Sequence, residues 1–245
     1  MWDFYEEIIK EIPEDIDSYI DFVHVGKTWT IVGAGKNFGI AVTVNEQNRI
    51  PSDYSFLYGK SLRDAACLCK SWNFIDASVG TAALNAYINS ETYLSQLNYL
   101  PDTNGFNSYK EITAGKNVGI IGHFTHLERT LSASNIYVLE RRPRPEDYPD
   151  TACEYILPKM DYVFITGSAF INKTLPRLLQ LSKRSIIVGP STPMSPVLFK
   201  YGAFELCGYS PKTITDKNAE AISSDNVKLS QYGQRISLKK QTDIY

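Results

Sequence analysis

Five short apolar runs in the second half of the chain constrain the fold more than any other feature. In order they read NVGIIGHF, NIYVLE, DYVFITG, SIIVGP and AFELCGY, and helical or irregular stretches separate them. The runs do not alternate apolar and polar residues, which is typical of strands covered on both faces, as in a parallel sheet. We therefore predict an α/β fold whose second part is a Rossmann-like doubly wound domain.

The first half of the chain has a different pattern. Trp2–Ile12 places apolar residues at helical spacing, and Thr28–Val44 carries β-branched runs on either side of a Gly-Lys-Asn turn. The second pattern predicts an antiparallel hairpin. Two helical stretches rich in small residues follow, SLRDAACLCKSW and FIDASVGTAALNAYIN. Strands followed by helices favour a smaller α+β domain.

The periodicity weakens between Thr92 and Lys116, where turn residues accumulate. We place a domain boundary there, which divides the chain into an α+β domain over residues 1–100 and a Rossmann-like domain over 101–245. The polar tail after Ser210 gives only a weak structural signal.

Composition excludes several classes of function. The chain has 245 residues, 43% of them hydrophobic, and a formal net charge of −2. This balance gives no global attraction to nucleic acid, and no apolar run has the length of a membrane helix. Four cysteines in a chain of this length do not make a disulfide framework. We expect a cytoplasmic protein whose partner is a small molecule, with no nucleic acid or membrane partner, and which could form a homo-oligomer.

Three local patterns are interpreted as structural. Gly33, Gly35 and Gly39 are spaced one residue too widely for a dinucleotide fingerprint, and a strand follows them instead of a helix. Cys67 and Cys69 lie two apart in a helical stretch, where their side chains point in different directions and cannot easily share a metal ion. The segment ERRPRPED mixes basic and acidic residues and is interpreted as a solvated loop.

The ends of the predicted parallel strands are the candidate ligand site, because ligands of doubly wound sheets bind outside that edge. The first strand ends in Gly122 and His123 and the second in Glu140. The third runs into TGSAFINKT, which supplies hydroxyl and amide groups, although Asn172 or Thr174 could instead cap the following helix. Glu140 occupies the position where many nucleotide-binding folds keep an acid for ribose hydroxyls.

The fourth strand ends in GPSTPMSP, an uncharged loop with three prolines. Proline fixes φ and removes amide donors, so the hydroxyls of Ser191, Thr192 and Ser195 are expected to be held in place with little entropy left to lose. A preorganised loop of this kind suits recognition of an anionic or polar molecule. The alternative is a rigid turn packed on the next helix.

His123 is the most informative single residue. At a strand end it could be a general base, a metal ligand or a hydrogen-bond donor. His126 follows three residues later and could share its helix face, but two ligands do not close a metal site, so Glu140 or a bound chelator would have to complete it.

Taken together, GIIGHF, the segment from YVLERRPRPEDYPD to FITGSAFINKTLPRLL, and VGPSTPMSPVLFKYGAFELCG resemble the family described as "putative heavy-metal chelation" (DUF364). The first half resembles the DUF4213 domain. The resemblance implies an N-terminal domain like that of enolase, a Rossmann-like domain and a ligand cleft between them. Its motifs include His123 and Glu140, the two residues that their positions at strand ends make candidate catalytic residues. The ligand-binding positions that it implies are Gly122, Thr166, Gly167, Ser168, Asn172, Thr174, Gly189, Pro190, Ser191, Thr192 and Pro193, with Ser78, Thr81 and Asn85 from the first domain.

Three hypotheses for function follow. The first is that the protein binds a small polar or anionic ligand in an interdomain cleft, such as a metal chelator or its precursor. The second is an enzyme with a nucleotide-type cofactor, S-adenosylmethionine or a dinucleotide, in which Glu140 holds the ribose and His123 is the acid or base. The third is a non-catalytic regulatory protein. Few methionines and separated cysteines argue against a soft-metal store, so a metal ion would be coordinated largely by the ligand. The identity of any metal or cofactor is left open.

Overall fold

Two β-sheets organise the computed structural model, which describes residues 2–47, 49–124, 130–224 and 228–240. The strands are β1 (Phe22–Val25), β2 (Trp29–Ala34), β3 (Asn37–Val42), β4 (Leu100–Pro101), β5 (Asn117–Ile121), β6 (Asn135–Glu140), β7 (Tyr148–Pro149), β8 (Tyr162–Thr166), β9 (Ser185–Val188), β10 (Ala203–Pro211) and β11 (Gly233–Lys239). The helices are α1 (Trp2–Ile9), α2 (Leu62–Ala66), α3 (Phe74–Ile88), α4 (Glu91–Leu94), α5 (Gly105–Ser108), α6 (Cys153–Ile156), α7 (Ser168–Ile171), α8 (Leu175–Leu181), α9 (Val197–Lys200) and α10 (Asp216–Ser223).

The larger sheet has eight strands in the order β4-β11-β10-β9-β8-β5-β6-β7. All neighbours from β10 to β7 are parallel, whereas β11 is antiparallel to both β10 and β4. The five predicted apolar runs form β5, β6, β8, β9 and β10. The prediction of a Rossmann-like α/β fold is confirmed, because the central order β6-β5-β8-β9-β10 is that of a doubly wound sheet.

The smaller sheet is antiparallel, in the order β1-β2-β3, and contains the predicted hairpin as β2 and β3. Helix α3 packs against it and is buried almost all round, as expected of a helix that is apolar on every side. The contact with β3 is very close: a Cβ atom on Gly39 would lie 1.9 Å from the carbonyl oxygen of Ala82. Only glycine permits this approach of helix and strand.

The tail after Ser210 is more structured than its polar sequence indicates. It forms α10, which packs on β1 and β2, and β11, which pairs with β10 along its whole length. Ile214, Ala219 and Ile222 are buried with Phe22 and Ile31 of the smaller sheet. The chain therefore returns to the first half, and the boundary between residues 1–100 and 101–245 stays a prediction.

The two halves share one hydrophobic core. Phe4 and Tyr5 of α1 pack against Phe170 of α7, and the hydroxyl of Tyr5 donates a hydrogen bond of 2.8 Å to the carbonyl oxygen of Phe170. None of the described helices has both the length and the apolar character required to cross a bilayer. The expected cytoplasmic location and the likeness of the first half to the enolase N-terminal domain stay predictions.

Candidate ligand-binding site

A cleft of about 1820 Å³ runs along the edge of the larger sheet at which its parallel strands end. Val42 at the end of β3 and the two residues after it, Thr43 and Val44, also line the cleft. Strands β5 and β8 are neighbours in the sheet, but the chain continues from β5 to β6 on one side and from β8 to β9 on the other. The switch point of the doubly wound topology therefore lies between the ends of β5 and β8, at Gly122 and Thr166.

Most of the predicted site residues line this one cleft, although they come from four distant segments. They are Gly122, His123, Glu140, Thr166, Gly167, Ser168, Asn172, Thr174, Gly189, Pro190 and Ser191. The geometry on which the sequence hypothesis depends, convergence of the strand ends on a common opening, is therefore present. Whether these residues bind a ligand stays a prediction.

Three residues predicted to face the cleft from α3 do not line it. Ser78 and Thr81 are fully buried, and each hydroxyl donates to a carbonyl oxygen one turn earlier in α3. Asn85 is also buried, and its amide donates to the carbonyl oxygen of Ile40 in β3. The expectation was wrong because the small residues of this motif let α3 pack tightly against the sheet. The hydroxyls of Ser78 and Thr81 are bonded within α3, and the amide nitrogen of Asn85 is bonded to β3, whereas the buried Oδ1 of Asn85 has no partner among the described residues.

The proline-rich loop after β9 divides its residues between the cleft and the core. Pro190 and Ser191 line the cleft, whereas Thr192 and Pro193 are buried behind it and do not. A Cβ atom on Gly167 would lie 2.8 Å from the amide nitrogen of Thr192, so the loop is pressed against the end of β8. The prediction that Thr192 and Pro193 contact a ligand is therefore not supported by their placement.

This loop is held mainly by α3 and β3. The side chain of Asn89 donates to the carbonyl oxygens of Thr192 (3.0 Å) and Tyr209 (3.1 Å) and accepts from the amide of Met194 (2.9 Å). The hydroxyl of Ser191 accepts from the amide of Val42 at 2.8 Å. The loop is therefore held rigidly between the two halves of the molecule. Asn89, which makes most of these hydrogen bonds, was not predicted from the sequence.

His123 has a carboxylate partner that the sequence did not reveal. Its Nε2 lies 2.6 Å from Oδ2 of Asp147, which belongs to the segment interpreted as a solvated loop. The Asp147 side chain is only 6% exposed and also accepts from the amide of Arg144 at 2.7 Å. Burial alone would raise the pKa of Asp147, but the hydrogen bonds from Arg144 and His123 hold the pKa below its ordinary value. The pair fixes the imidazole at the end of β5.

The remaining polar groups of the β8 loop bond to one another. The hydroxyls of Thr166 and Ser168 lie 3.0 Å apart. Asn172 accepts from both the amide (3.2 Å) and the hydroxyl (2.7 Å) of Thr174 at the start of α8. The amide oxygen of Asn172 is therefore engaged locally, although the Thr174 side chain at the N-cap of α8 forms no capping hydrogen bond. The hydroxyls of Thr166 and Ser168 keep bonding capacity toward the cleft.

Charge in the cleft differs in sign from that of the whole chain. Seven of the residues that line it are lysine or arginine and five are aspartate or glutamate, whereas acids outnumber these bases 27 to 25 in the sequence. Arg141 pairs with Glu46, and Arg177 pairs with Glu154. Within the described part of the chain, four exposed lining cations form no ion pair: Lys27, Arg142, Lys228 and Arg235. An anionic ligand would be favoured here.

The described residues do not fit a soft-metal centre. No group of three or more histidine, cysteine or acidic side chains within them is arranged to hold an ion. Two cysteines line the cleft, but burial, with Asp150 and Glu154 adding to it, raises the pKa of Cys153 to about 11, and burial beside Glu205 raises the pKa of Cys207 well above its ordinary value. Both thiols are protonated at neutral pH, and a thiol must lose its proton to bind metal. His126 lies outside the described residues.

Comparisons with known proteins agree with this architecture. A family model described as "putative heavy-metal chelation" (DUF364) matches residues 104–224, and a second with the same description (DUF4213) matches residues 5–88. A crystal structure of a DUF364-family protein of unknown function from Desulfitobacterium hafniense is similar, with 38% identity, a TM-score of 0.89, and coverage of 98% of this chain and 99% of that one. Another, from Pyrococcus horikoshii, has 21% identity and a TM-score of 0.77 over 97% of this chain and 98% of that one, which supports the fold alone. The uncharacterized protein MJ0500 of Methanocaldococcus jannaschii is 30% identical over 67% of this chain and 66% of its own length.

Proposed function

We propose, because this chain belongs to the DUF364 family described as "putative heavy-metal chelation", that it binds a small polar or anionic molecule in the cleft and handles metal only as a complex of that molecule. The ligand lies at the switch point between β5 and β8. Thr166 and Ser168 donate hydrogen bonds to it, and the imidazole of His123 contacts it from the end of β5.

The observation that carries the proposal is the convergence of His123, Glu140, Thr166, Ser168 and Ser191 on one opening. These residues come from segments that are distant in sequence, and hydrogen bonds with Val42 and Asn89 hold the proline-rich loop that carries Ser191. Binding therefore requires little ordering of this loop, which improves affinity for a small molecule. The excess of lining cations favours a ligand with negative charge.

Metal would reach the cleft as part of the ligand. The thiols there are protonated, and the described residues supply no set of three ligating side chains. A chelate brings its own donor atoms, so the protein needs only hydrogen bonds and charge to recognise it. This differs from a metal store, in which the protein itself provides the ligands.

A nucleotide-type cofactor is the second candidate, and Glu140 supports it. Strand β6 is adjacent to β5, so Glu140 lies beside Gly122 at the position from which an acid contacts a ribose in Rossmann folds. S-adenosylmethionine or NAD would then raise the melting temperature of the wild-type protein, and Glu140→Ala would abolish that increase. Absence of any increase in the wild type removes this candidate.

Calorimetric titration tests the leading proposal. The probes are Zn²⁺, Ni²⁺ and Cu²⁺, each alone and complexed with citrate or with free histidine. We expect saturable binding of a complex, no saturable binding of the ions alone, and at least about tenfold weaker binding of the complex by the Thr166→Val/Ser168→Ala variant.

Ser134→Ala is the matched control, because Ser134 is exposed and does not line the cleft. It should bind as the wild type does. Tight binding of an ion without chelator would contradict a metal carried by the ligand. Failure of every ion and every complex to bind would remove the proposal.

A further inference from the structure

The cleft continues beyond the switch point along the ends of the strands and reaches β10 and β11. There it is lined by Lys27 from the β1–β2 turn, by Lys228, and by Arg235 at the start of β11. Trp29, the first residue of β2, lines the same end. We call these four residues the basic end of the cleft.

The three cations of the basic end are available to a ligand. All three side chains are exposed, and none has an acidic partner within the described ranges. Asp102 is the single acidic residue among the described residues that line this end, so a positive excess remains. Elsewhere along the cleft, Arg141 and Arg177 are neutralised by Glu46 and Glu154.

Strand pairing and backbone hydrogen bonds fix the chain at Arg235 and beside Lys27. Arg235 lies in β11 opposite Tyr209 of β10, and its carbonyl oxygen accepts from the amide of Asp102 at 2.8 Å. Thr28, next to Lys27, donates to the carbonyl oxygen of Ser223 at the end of α10. Two sheets and a helix therefore converge here, which distinguishes the basic end from charges scattered over a solvated face.

We propose that the basic end is a second subsite, which binds an oxyanion group, a phosphate or a carboxylate. The guanidinium of Arg235 can donate two parallel hydrogen bonds to two oxygens of such a group, and Lys27 and Lys228 add positive charge. The indole of Trp29 supplies an apolar face against which the body of the ligand packs.

The position of this subsite sets a minimum length for a ligand that also reaches the switch point. Adjacent strands are about 4.8 Å apart, so β11 lies roughly 17 Å from the boundary between β5 and β8. One molecule that reaches both places is elongated and carries an anionic group at the end away from the switch point. That conclusion about ligand length rests on the proposed function, whereas oxyanion binding at the basic end does not.

Fluorescence of Trp29 gives a direct test. The chain has three tryptophans, and Trp2 and Trp72 pack against each other outside the cleft. In the Trp2→Phe/Trp72→Phe background the tryptophan emission reports Trp29 alone. We expect pyrophosphate, citrate or both to change this emission saturably, which also distinguishes phosphate from carboxylate. Calorimetry with the wild-type protein repeats the measurement without the background substitutions.

The Lys27→Gln/Arg235→Gln variant should weaken binding of the responding anion at least about tenfold. Lys116→Gln/Lys183→Gln is the charge-matched control, because both lysines are exposed and outside the cleft. An equal loss in this control would mean nonspecific attraction and overturn the subsite. No response to either anion would do the same.

The Thr166→Val/Ser168→Ala variant separates this proposal from the previous one. Anion binding should persist there if the anion occupies the basic end. Loss in that variant, with no loss in Lys27→Gln/Arg235→Gln, would place the anion at the switch point. Such a result would overturn the second subsite and leave the proposed function standing.

Discussion

Replacing Lys173 by methionine is expected to stabilise the protein at neutral pH, with a gain that disappears as the pH rises toward 10. The Lys173 side chain is buried, with 6% of the residue exposed, and has no carboxylate partner among the described residues. Its Nζ donates to the carbonyl oxygen of Ile171 at 2.6 Å and lies 5.4 Å from the centre of the Tyr5 ring. Burial lowers the pKa of Lys173 from 10.5 to about 8.

The magnitude follows from the pKa of Lys173 in the folded and unfolded chains. Each pKa unit corresponds to 1.36 kcal/mol, so keeping this ammonium charged inside the protein costs roughly 3 kcal/mol at pH 7. Methionine avoids that cost but loses the hydrogen bond to Ile171, which is worth about 1 kcal/mol. We therefore expect Lys173→Met to raise the free energy of unfolding by about 2 kcal/mol at pH 7.

The pH dependence has a defined sign. Between pH 8 and pH 10.5 the unfolded chain keeps the Lys173 proton while the folded chain loses it, so the stability of the wild type rises with pH across this window relative to the variant. Burial raises the pKa of Tyr5 and raises the pKa of Cys69 to about 12, so these neighbours stay protonated in the folded protein over the same range.

Urea unfolding of the wild type and the variant at pH 7, 8, 9 and 10 measures the difference at each pH. Lys183→Met is the control, because Lys183 is exposed and has no ion pair within the described residues. Its effect should be within about 0.5 kcal/mol at every pH. A Lys173→Met protein that is less stable than the wild type at pH 7, or a difference that does not change with pH, would refute the reasoning.

Three further predictions concern positions that the tertiary structure singles out. Asn89→Ala should lower the free energy of unfolding, measured with urea, by about 3 to 5 kcal/mol, because three buried backbone groups lose their hydrogen bonds. A loss below about 1 kcal/mol would contradict the role of Asn89 in holding the proline-rich loop. The carboxylate of Asp147 stabilises the fold above its unfolded pKa, and this contribution is lost as the pH falls through its lower folded value. In thermal melts between pH 3 and 6, Asp147→Asn should therefore be less stable than the wild type at pH 6 and approach it at pH 3; a constant difference would argue against the pair with His123. Gly39→Ala should prevent folding or lower the free energy of unfolding by more than about 3 kcal/mol, because the added Cβ would collide with the carbonyl oxygen of Ala82. A melting curve followed by circular dichroism that matches the wild type would contradict the close contact of α3 and β3.

Local signals were sufficient for the main elements of the fold. The helical spacing after Trp2, the small-residue helix from Phe74 and the hairpin within Thr28–Val44 were all predicted correctly, as were the five central strands. Each carries its own periodicity or β-branched run, so burial on a helix or a sheet can be inferred from neighbouring residues alone. The strand ends then located the cleft, because parallel strands all end at the same edge of the sheet.

Elements that depend on distant partners were not predicted. Strand β1 is short, and α10 and β11 lie in a polar segment, so their stability comes from packing on the smaller sheet and from pairing with β10. The same reason explains the residues that were missed in the site. Asp147 lies 24 positions from His123 and Asn89 lies 103 from Thr192, and no local pattern connects such pairs.

The sequence by itself determined the doubly wound α/β class, the elements around each strand end and the family to which the chain belongs. Only the tertiary structure decided which polar groups remain available to a ligand. It buries Ser78 and Thr81 in the packing of α3, where both hydroxyls are hydrogen-bonded, and leaves Thr166 and Ser168 at the opening. The physical reason is that a hydroxyl has the same chemistry in either place, and only the partners brought to it by the fold determine whether its hydrogen bonds are already satisfied.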